Sequence, residues 1–199
     1  KFTLSWLKEH LDTKANLQAI VSNLDNLGLE VESIKDRSNE LKPFTVAKII
    51  EAKKHPNADR LKICNVETLS GKFQVVCGAT NAKSGMLGVF APENSYIPGT
   101  KIKLKKTTIR GIESCGMLVS EREMGVSDEH EGIIEIEKKY KIGDLFSKIY
   151  GLDDPVIEIN VTPNRSDCLS VRGIARDLSA TGIGKLKKLN IKKNKGSFS

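Results

Sequence analysis

The sequence is poor in cysteines, in aromatic residues and in long apolar runs, and each shortage excludes a class of protein. No apolar run approaches the roughly 20 residues that cross a bilayer, and charges interrupt the N-terminal segment too early for a signal peptide. Four cysteines in 199 residues are too few for a disulfide scaffold. We therefore expect a cytoplasmic protein with reduced thiols and no membrane partner.

The sequence also lacks the motifs of an active centre. Cys64, Cys77, Cys115 and Cys168 do not show the paired spacing of a zinc or redox site, and the three histidines are dispersed. It contains no phosphate-binding loop, nucleophile elbow or dinucleotide-binding glycine motif. We therefore expect no catalytic residue, no metal site and no cofactor in this chain.

What the sequence does contain is a basic excess, with 32 Lys+Arg against 25 Asp+Glu for a net charge of +7. Two stretches without acidic residues carry this excess: Lys101, Lys103, Lys105, Lys106 and Arg110 in the first, and Lys185, Lys187, Lys188, Lys192, Lys193 and Lys195 in the second. Such clustering suggests a polyanionic partner. Two alternatives stay open, because the alternation at 101–105 also favours a half-buried strand with its lysines in water, and the run at 185–195 is typical of a solvated tail.

Periodicity predicts helices at both ends of the chain and strands between them. We expect Ser5 and Asn16 to cap two N-terminal helices, Gly28 to end the second, and Ser166 or Asp167 to cap a C-terminal helix. Alternation predicts strands at 29–34, 44–52, 61–69, 72–76, 86–91, 101–109, 133–136 and 156–161. The remaining patterns predict short helices near 117–124 and 143–150.

These elements indicate an α+β protein of two domains. The five short strands between 40 and 150 predict a small barrel, because closure hides the edges of a sheet. Residues 1–39 and 151–190 cannot each bury a core alone, so we expect them to form one small discontinuous α+β domain into which the barrel is inserted. Residues 191–199 are expected to be a linker.

Four motifs occur in order across the predicted barrel. They are His-Pro-Asn-Ala-Asp-Arg-Leu at 55–61, Val-Val-Cys-Gly-Ala-Thr-Asn at 75–81, Ile-Pro-Gly at 97–99 and Ile-Arg-Gly-Ile-Glu-Ser-Cys-Gly-Met-Leu-Val-Ser at 109–120. Together they resemble the tRNA-binding OB-fold of endothelial-monocyte activating polypeptide, of many methionyl-tRNA synthetases and of the bacterial phenylalanyl-tRNA synthetase β subunit. The resemblance implies that the barrel is a five-stranded OB-fold.

The flanking segments distinguish among these families. Phe-Thr-Leu-Ser-Trp-Leu at 2–7, Gly-Leu-Glu-Val-Glu at 28–32 and the segment 161–177 are similar to the bacterial β subunit and not to the stand-alone modules. This resemblance covers 1–183 and implies an N-terminal fragment of a phenylalanine–tRNA ligase, followed by further domains. The fragment would contribute tRNA binding and subunit architecture to ATP-dependent attachment of phenylalanine to its tRNA, and would be inactive alone.

The resemblance also implies the needs of the complete enzyme. These are ATP and magnesium as cofactors, an α subunit that holds the aminoacylation site, and a second αβ pair that completes a heterotetramer. The expected partners are therefore tRNA and these subunits, and not DNA. The alternative is a structural appendage or interaction module without significant RNA affinity.

The candidate RNA contacts are Asn81, Lys101, Lys103, Lys105, Arg110 and Ser114. The cations would meet phosphates, and Asn81 would either read a base edge or merely stabilise its loop. The segments around Arg110 and Ser114 would offer a hydroxyl and close backbone approach to a phosphate, or would merely form a tight strand-to-helix turn. Few aromatic residues between 40 and 150 are available for stacking, namely Phe44, Phe73, Phe90, Tyr96, Tyr140 and Phe146. We therefore expect weak, salt-sensitive tRNA binding.

Overall fold

The computed structural model describes residues 1–189 and Gly196, and it combines short helices with a larger proportion of strands. The helices are α1 (Leu4–His10), α2 (Leu17–Asn26), α3 (Ser38–Leu41), α4 (Phe146–Ile149) and α5 (Val171–Ala180), with a 3-10 helix at Ser166–Leu169. The strands are β1 (Phe2–Thr3), β2 (Leu11–Asp12), β3 (Val31–Lys35), β4 (Thr45–His55), β5 (Ala58–Thr68), β6 (Gly71–Cys77), β7 (Leu87–Ala91), β8 (Tyr96–Ile97), β9 (Ile102–Lys103), β10 (Thr107–Ile109), β11 (Ile112–Ser114), β12 (Met117–Leu118), β13 (Glu135–Ile136), β14 (Val156–Ile159) and β15 (Lys185–Leu186). None of the described helices is long and apolar enough to cross a membrane.

The chain forms two compact units. Unit 1 comprises Lys1–Asp36 and the described residues from Asp154 onward, and unit 2 comprises Arg37–Asp153. The expected linker at 191–199, with Lys192, Lys193 and Lys195, lies outside the described residues apart from Gly196.

In unit 1 the two ends of the chain together build two small sheets and one core. Strand β14 lies between β1 and β3 and is antiparallel to both, and β2 pairs with β15. The fully buried apolar side chains come from both segments: Leu7, Leu11, Ile20, Leu24, Leu29, Ile157, Ala175 and Leu178. Removal of this apolar surface from water is what joins the two segments.

The helix ends in unit 1 show which predictions of helix caps from the local sequence are correct. Asn16 caps α2 by accepting a hydrogen bond from the Ala19 N–H at 2.9 Å, and Gly28 follows the helix with φ of 73°, as predicted. The predicted cap at Ser5 is wrong, because Thr3 accepts the hydrogen bond at that end and Ser5 instead hydrogen-bonds Asp154.

The predicted cap of α5 is also wrong. Ser166 and Asp167 lie in the 3-10 helix, and Ser170 accepts the hydrogen bond from the Gly173 N–H at 3.1 Å.

The run at 185–195 is not wholly a solvated tail either. Strand β15 pairs with β2, and the Lys187 N–H donates to the His10 carbonyl at 2.8 Å, so this run begins as part of the sheet.

Unit 2 is organised around a sheet with the order β12-β7-β4-β5-β6, in which β13 also pairs with β7. Its buried side chains form two clusters, one containing Phe44, Val89 and Phe146 and the other containing Val66 and Val75. Strand pairing does not close this sheet into a barrel within the described residues. The segment after β10 nevertheless reaches the β6 edge.

Three hydrogen bonds make this approach to β6, one of them from the Val76 N–H to the Ser114 hydroxyl at 3.1 Å. The Cys115 N–H donates to the Gln74 main-chain carbonyl at 2.8 Å, and the Gln74 side-chain amide donates from Nε2 to the Glu113 carbonyl at 2.8 Å. Backbone groups on the outer side of the edge strand are therefore also hydrogen-bonded, which protects the strand from pairing with another chain.

The predicted helix at 117–124 is wrong. Met117 pairs with Ala91 and Leu118 pairs with Phe90, so this segment begins as strand β12 on the edge of β7 and then continues as turns. The apolar residues at its start match a helix and a buried strand equally well. The strand forms because its backbone can pair with the edge of β7.

Candidate nucleic-acid interface

The first part of the candidate interface is the β8–β9 hairpin. The Lys101 N–H donates to the Ile97 carbonyl at 2.8 Å, and Lys101 has φ of 58°. A Cβ on Gly99 would lie 1.8 Å from the Arg122 carbonyl oxygen, so the turn needs glycine there. The close approach lets the Gly99 N–H donate to the Glu123 carbonyl at 2.8 Å, which anchors the hairpin.

The predicted continuous strand at 101–109 is therefore wrong. The positive φ of Lys101 places it in the turn, and the chain divides into β9 and β10. The half-buried alternation is also wrong, because Ile102 is 59% exposed. Lys101, Lys103 and Lys105 are all exposed, and none forms an ion pair within residues 1–189.

The second part of the interface is the β10–β11 hairpin, which places Arg110 at its tip. Arg110 and Gly111 both have positive φ, 51° and 87°, as a type I′ turn requires. Asn57 donates from its side chain to the Arg110 carbonyl at 3.4 Å, and the Arg110 side chain is exposed. The nearby Lys106 is not free, because Glu113 lies 2.6 Å away and raises the pKa of its ammonium.

His55 fixes the base of this second hairpin. Its ring is buried, with Nδ1 accepting from the Asn57 N–H at 3.1 Å, so Nε2 carries the proton that is donated to the Ile109 carbonyl at 3.2 Å. The 55–61 motif thus connects β4 to β5, and it also supports the Arg110 turn. Sequence reasoning missed this second role, because it depends on contacts 54 residues apart.

Two of the candidate RNA contacts are instead engaged inside the fold. The Asn81 amide donates to the Ile133 carbonyl at 2.8 Å and accepts from the Ile133 N–H at 3.0 Å, which is the loop-stabilising alternative. Ser114 is buried, where its hydroxyl accepts from the Val76 N–H at 3.1 Å and donates to the Gly116 carbonyl at 3.3 Å. Both side chains therefore already serve backbone groups of the fold.

Unit 1 contains a cluster that resembles a metal-ligand set. One ligand atom each of Asp167, Cys168 and Asp177 lies within 4.8 Å of the others. Both carboxylates are already paired, because Arg165 contacts each of them and so does Arg176. Burial and the neighbouring Asp177 raise the pKa of the Cys168 thiol to about 11, so the thiol stays protonated. The cluster is therefore an ion-pair network, and we assign no metal to it.

The guanidinium groups determine the charge state of this network. Hydrogen bonds from Arg165 and Arg176 hold the pKa of the Asp167 carboxyl well below its ordinary value. Burial opposes the charged form of Asp177, but hydrogen bonds from Arg176 and Arg165 hold its pKa below the ordinary value as well. The network joins the 3-10 helix to α5.

The sequence comparison bears directly on unit 2. Residues 44–145, slightly more than half of the chain, match the family described as "Putative tRNA binding domain". The chain belongs to this tRNA-binding domain family. The matched segment contains both hairpins that carry the exposed cations of the candidate interface.

Curated relatives are similar to this chain along its whole length. The phenylalanine–tRNA ligase beta subunits of Rickettsia bellii and Bradyrhizobium diazoefficiens are 55% and 52% identical to it, over 100% of this chain and 23% and 25% of their own lengths. The resemblance inferred from the motifs is confirmed. The chain spans about a quarter of the length of the curated relatives it matches.

Solved structures are less similar. A MetRS related protein from Pyrococcus horikoshii shares 18% identity with a TM-score of 0.39, over 51% of this chain and 86% of that one. A likeness this weak does not define the fold of unit 2.

Proposed function

We propose that this chain is the N-terminal part of a phenylalanine–tRNA ligase β subunit, and that unit 2 contributes tRNA binding to the ligase. The observation that carries the proposal is a set of exposed cations, unpaired within the described residues, on two consecutive hairpins and the link between them: Lys101, Lys103, Lys105 and Arg110. Cations without acidic partners can exchange the counterions of an RNA backbone at little desolvation cost.

We propose the OB-fold for unit 2 and the division into an inserted domain at 40–150 and a discontinuous domain at 1–39 and 151–190. The antiparallel run β4-β5-β6 and the bonding of 113–115 to the β6 edge support the OB-fold, whose barrel is only partly closed. The separate cores of units 1 and 2 support the division.

The activity of the complete ligase belongs to the same proposal. We propose that it attaches phenylalanine to tRNA in the cytoplasm with ATP and magnesium, and that an α subunit carries the aminoacylation site. Two αβ pairs would form a heterotetramer. No residue of this chain is assigned a catalytic role.

The test is the salt dependence of tRNA binding. We expect replacement of Lys101, Lys103, Lys105 and Arg110 by alanine to weaken binding at low salt. Each lost phosphate contact should lower the slope of log K against log salt by about 1. Fluorescence anisotropy with labelled tRNA between low and moderate salt measures both quantities.

A second variant controls for net charge. Lys14, Lys35, Lys72 and Lys188 are also exposed and unpaired within the described chain, so their replacement by alanine removes the same charge from other surfaces. We expect this control to keep most of the wild-type slope. Equal losses in the two variants would show a nonspecific charge effect, and wild-type affinity that does not change with salt would contradict phosphate-led binding.

One observation favours a structural role for unit 1. Trp6 and Leu169 are 47% and 77% exposed and line a groove of about 630 Å³ whose other walls include Val161 and Val171. Apolar surface of this kind is normally covered in a complete assembly. We propose that unit 1 packs against later parts of the same subunit, while unit 2 binds tRNA.

A further inference from the structure

Tyr96 differs from the other aromatic residues of unit 2, because it is 47% exposed and makes no ring-stacking or cation–π contact within the described residues. The remaining rings of Arg37–Asp153 are buried or engaged: Phe44 and Phe146 in the core, Phe90 stacked with Phe73 at 5.5 Å, Tyr140 under Lys139 at 5.0 Å, and Tyr150 against Phe146 at 4.7 Å. Tyr96 therefore has a ring face available to a ligand.

The register of the hairpin places a free cation beside this ring. Tyr96 of β8 pairs directly with Lys103 of β9. Residues paired in this way project from the same face, with Cβ atoms about 4.5–5.5 Å apart. Within the described residues the Tyr96 hydroxyl forms no hydrogen bond and the Lys103 ammonium no ion pair, and no acidic residue occurs between Glu93 and Glu113.

The hairpin also holds the ring in place. The Leu104 N–H donates to the Ser95 carbonyl at 2.7 Å, the Asn94 N–H donates to the Leu104 carbonyl at 2.9 Å, and the adjacent Ile97 is buried. A ring on an anchored strand loses little conformational freedom when a ligand binds.

We propose that Tyr96 stacks on an unpaired base of RNA and that Lys103 contacts a neighbouring phosphate of the same strand. This inference rests on the proposed function and adds a base contact to it. The flat ring fits a base face, and the surrounding cations fit the phosphates. The base must be unpaired, because bases inside an RNA helix present no free face.

The test compares two labelled RNA strands of roughly 12 nucleotides, a length within the site size of OB-folds, one normal and one abasic. We expect Tyr96→Ala to weaken binding of the normal strand by about 5- to 100-fold, because a stacked base is lost. Tyr96→Phe should bind almost as the wild type does. On the abasic strand, Tyr96→Ala and wild type should bind equally, whereas Lys103→Ala should weaken binding of both strands.

Leu69→Ala is the matched control, since Leu69 is an 80% exposed apolar side chain in the turn between β5 and β6. If wild type binds RNA, the four-cation variant binds weakly, and Tyr96→Ala behaves as Leu69→Ala, then the stacking inference fails while the proposed function stands. If wild type binds neither the strand nor tRNA at low salt, both fail.

A second measurement does not depend on any variant. Wild-type protein is photocrosslinked to a strand that contains 4-thiouridine, and the linked peptide is identified by mass spectrometry. We expect the peptide that contains Tyr96. Crosslinks confined to other peptides would overturn the inference, and so would a partner protein that covers this face while RNA remains bound.

Discussion

At the residue scale, the presence of an internal partner distinguishes structural polar groups from candidate contacts. Asn81 and Ser114 each satisfy backbone groups distant in sequence, whereas Lys101, Lys103 and Arg110 direct charge into solvent without ion pairs in residues 1–189. An amide or hydroxyl already bonded inside the fold must break those bonds to contact RNA, and an exposed ammonium need not. Residue type alone does not separate these two groups.

Asn81 provides a prediction at this scale. Asn81→Ala removes two hydrogen bonds to the Ile133 backbone and leaves those backbone groups without their partners. We expect the free energy of unfolding to fall by about 1–3 kcal/mol, measured by urea denaturation. The affinity of the folded protein for tRNA should stay unchanged.

The control is Asn65→Ala, because Asn65 is exposed on β5 and its side chain forms no hydrogen bond within the described residues. It should be nearly neutral. An Asn81→Ala protein of wild-type stability with lost tRNA affinity would instead restore Asn81 as an RNA contact.

At the element scale, a glycine at a close approach between strands allows the short strands of unit 2 to pack together. Gly116, just before β12, has φ of 98°, and a Cβ there would lie 2.5 Å from the Phe90 ring. Phe90 belongs to β7, so the glycine lets one strand pass close to the ring of another. This approach positions Ser114 and Cys115 for their hydrogen bonds to β6.

A pair of glycine variants tests this explanation. Gly116→Ala adds both backbone strain and a clash with Phe90, and we expect it to lower the free energy of unfolding by about 2–5 kcal/mol. Gly111→Ala adds the strain alone, since Gly111 has φ of 87° with nothing within 4 Å, and should lower it by about 1 kcal/mol. Urea denaturation measures both, and equal losses would show that the Phe90 contact is unimportant.

At the scale of the whole molecule, the two units differ in their ionised groups. The carboxyls whose pKa lies below the ordinary value, within the described residues, all belong to unit 1: Asp154, Glu158, Asp167 and Asp177. The pKa of Glu158 is lowered by its contacts with Lys1 and Ser33, and that of Asp154 by hydrogen bonds from Ser5 that outweigh its burial. Acid should therefore act strongly on unit 1.

The pH dependence follows from the direction of these shifts. A carboxyl with a depressed pKa binds fewer protons folded than unfolded, so its stabilisation is present above the ordinary pKa of about 4 and is lost as pH falls towards the folded value. Urea unfolding can be followed by the fluorescence of Trp6, the single tryptophan. We expect the urea concentration at the midpoint to be lower at pH 3 than at pH 6.

Asp167→Asn should start with a lower midpoint at pH 6 and show a weaker dependence on pH, because one of the shifted carboxyls is gone. Equal midpoints for the wild type at pH 3 and pH 6 would contradict the assignment of these ion pairs. A variant with the full wild-type pH dependence would remove Asp167 from the explanation.

The sequence by itself determined the family, the elements with strong local signals and the surface that carries charge. Asn16 and Gly28 act through chemistry within a few residues, and the long strands β4 and β5 follow from alternation. The motifs identified the tRNA-binding domain through their resemblance to known members of the family, which the comparison confirmed.

Only the tertiary structure decided which of the candidate residues remain free. Whether Asn81 reads a base depends on Ile133, 52 positions away, and the exposure of Tyr96 beside Lys103 depends on a hairpin whose turn needs the Arg122 backbone against Gly99. Hydrogen-bond partners and burial are set by contacts between distant segments, and periodicity reports only neighbours along the chain. The sequence therefore indicated a candidate RNA-binding surface, and the packing of its hairpins determined which side chains are free to form it.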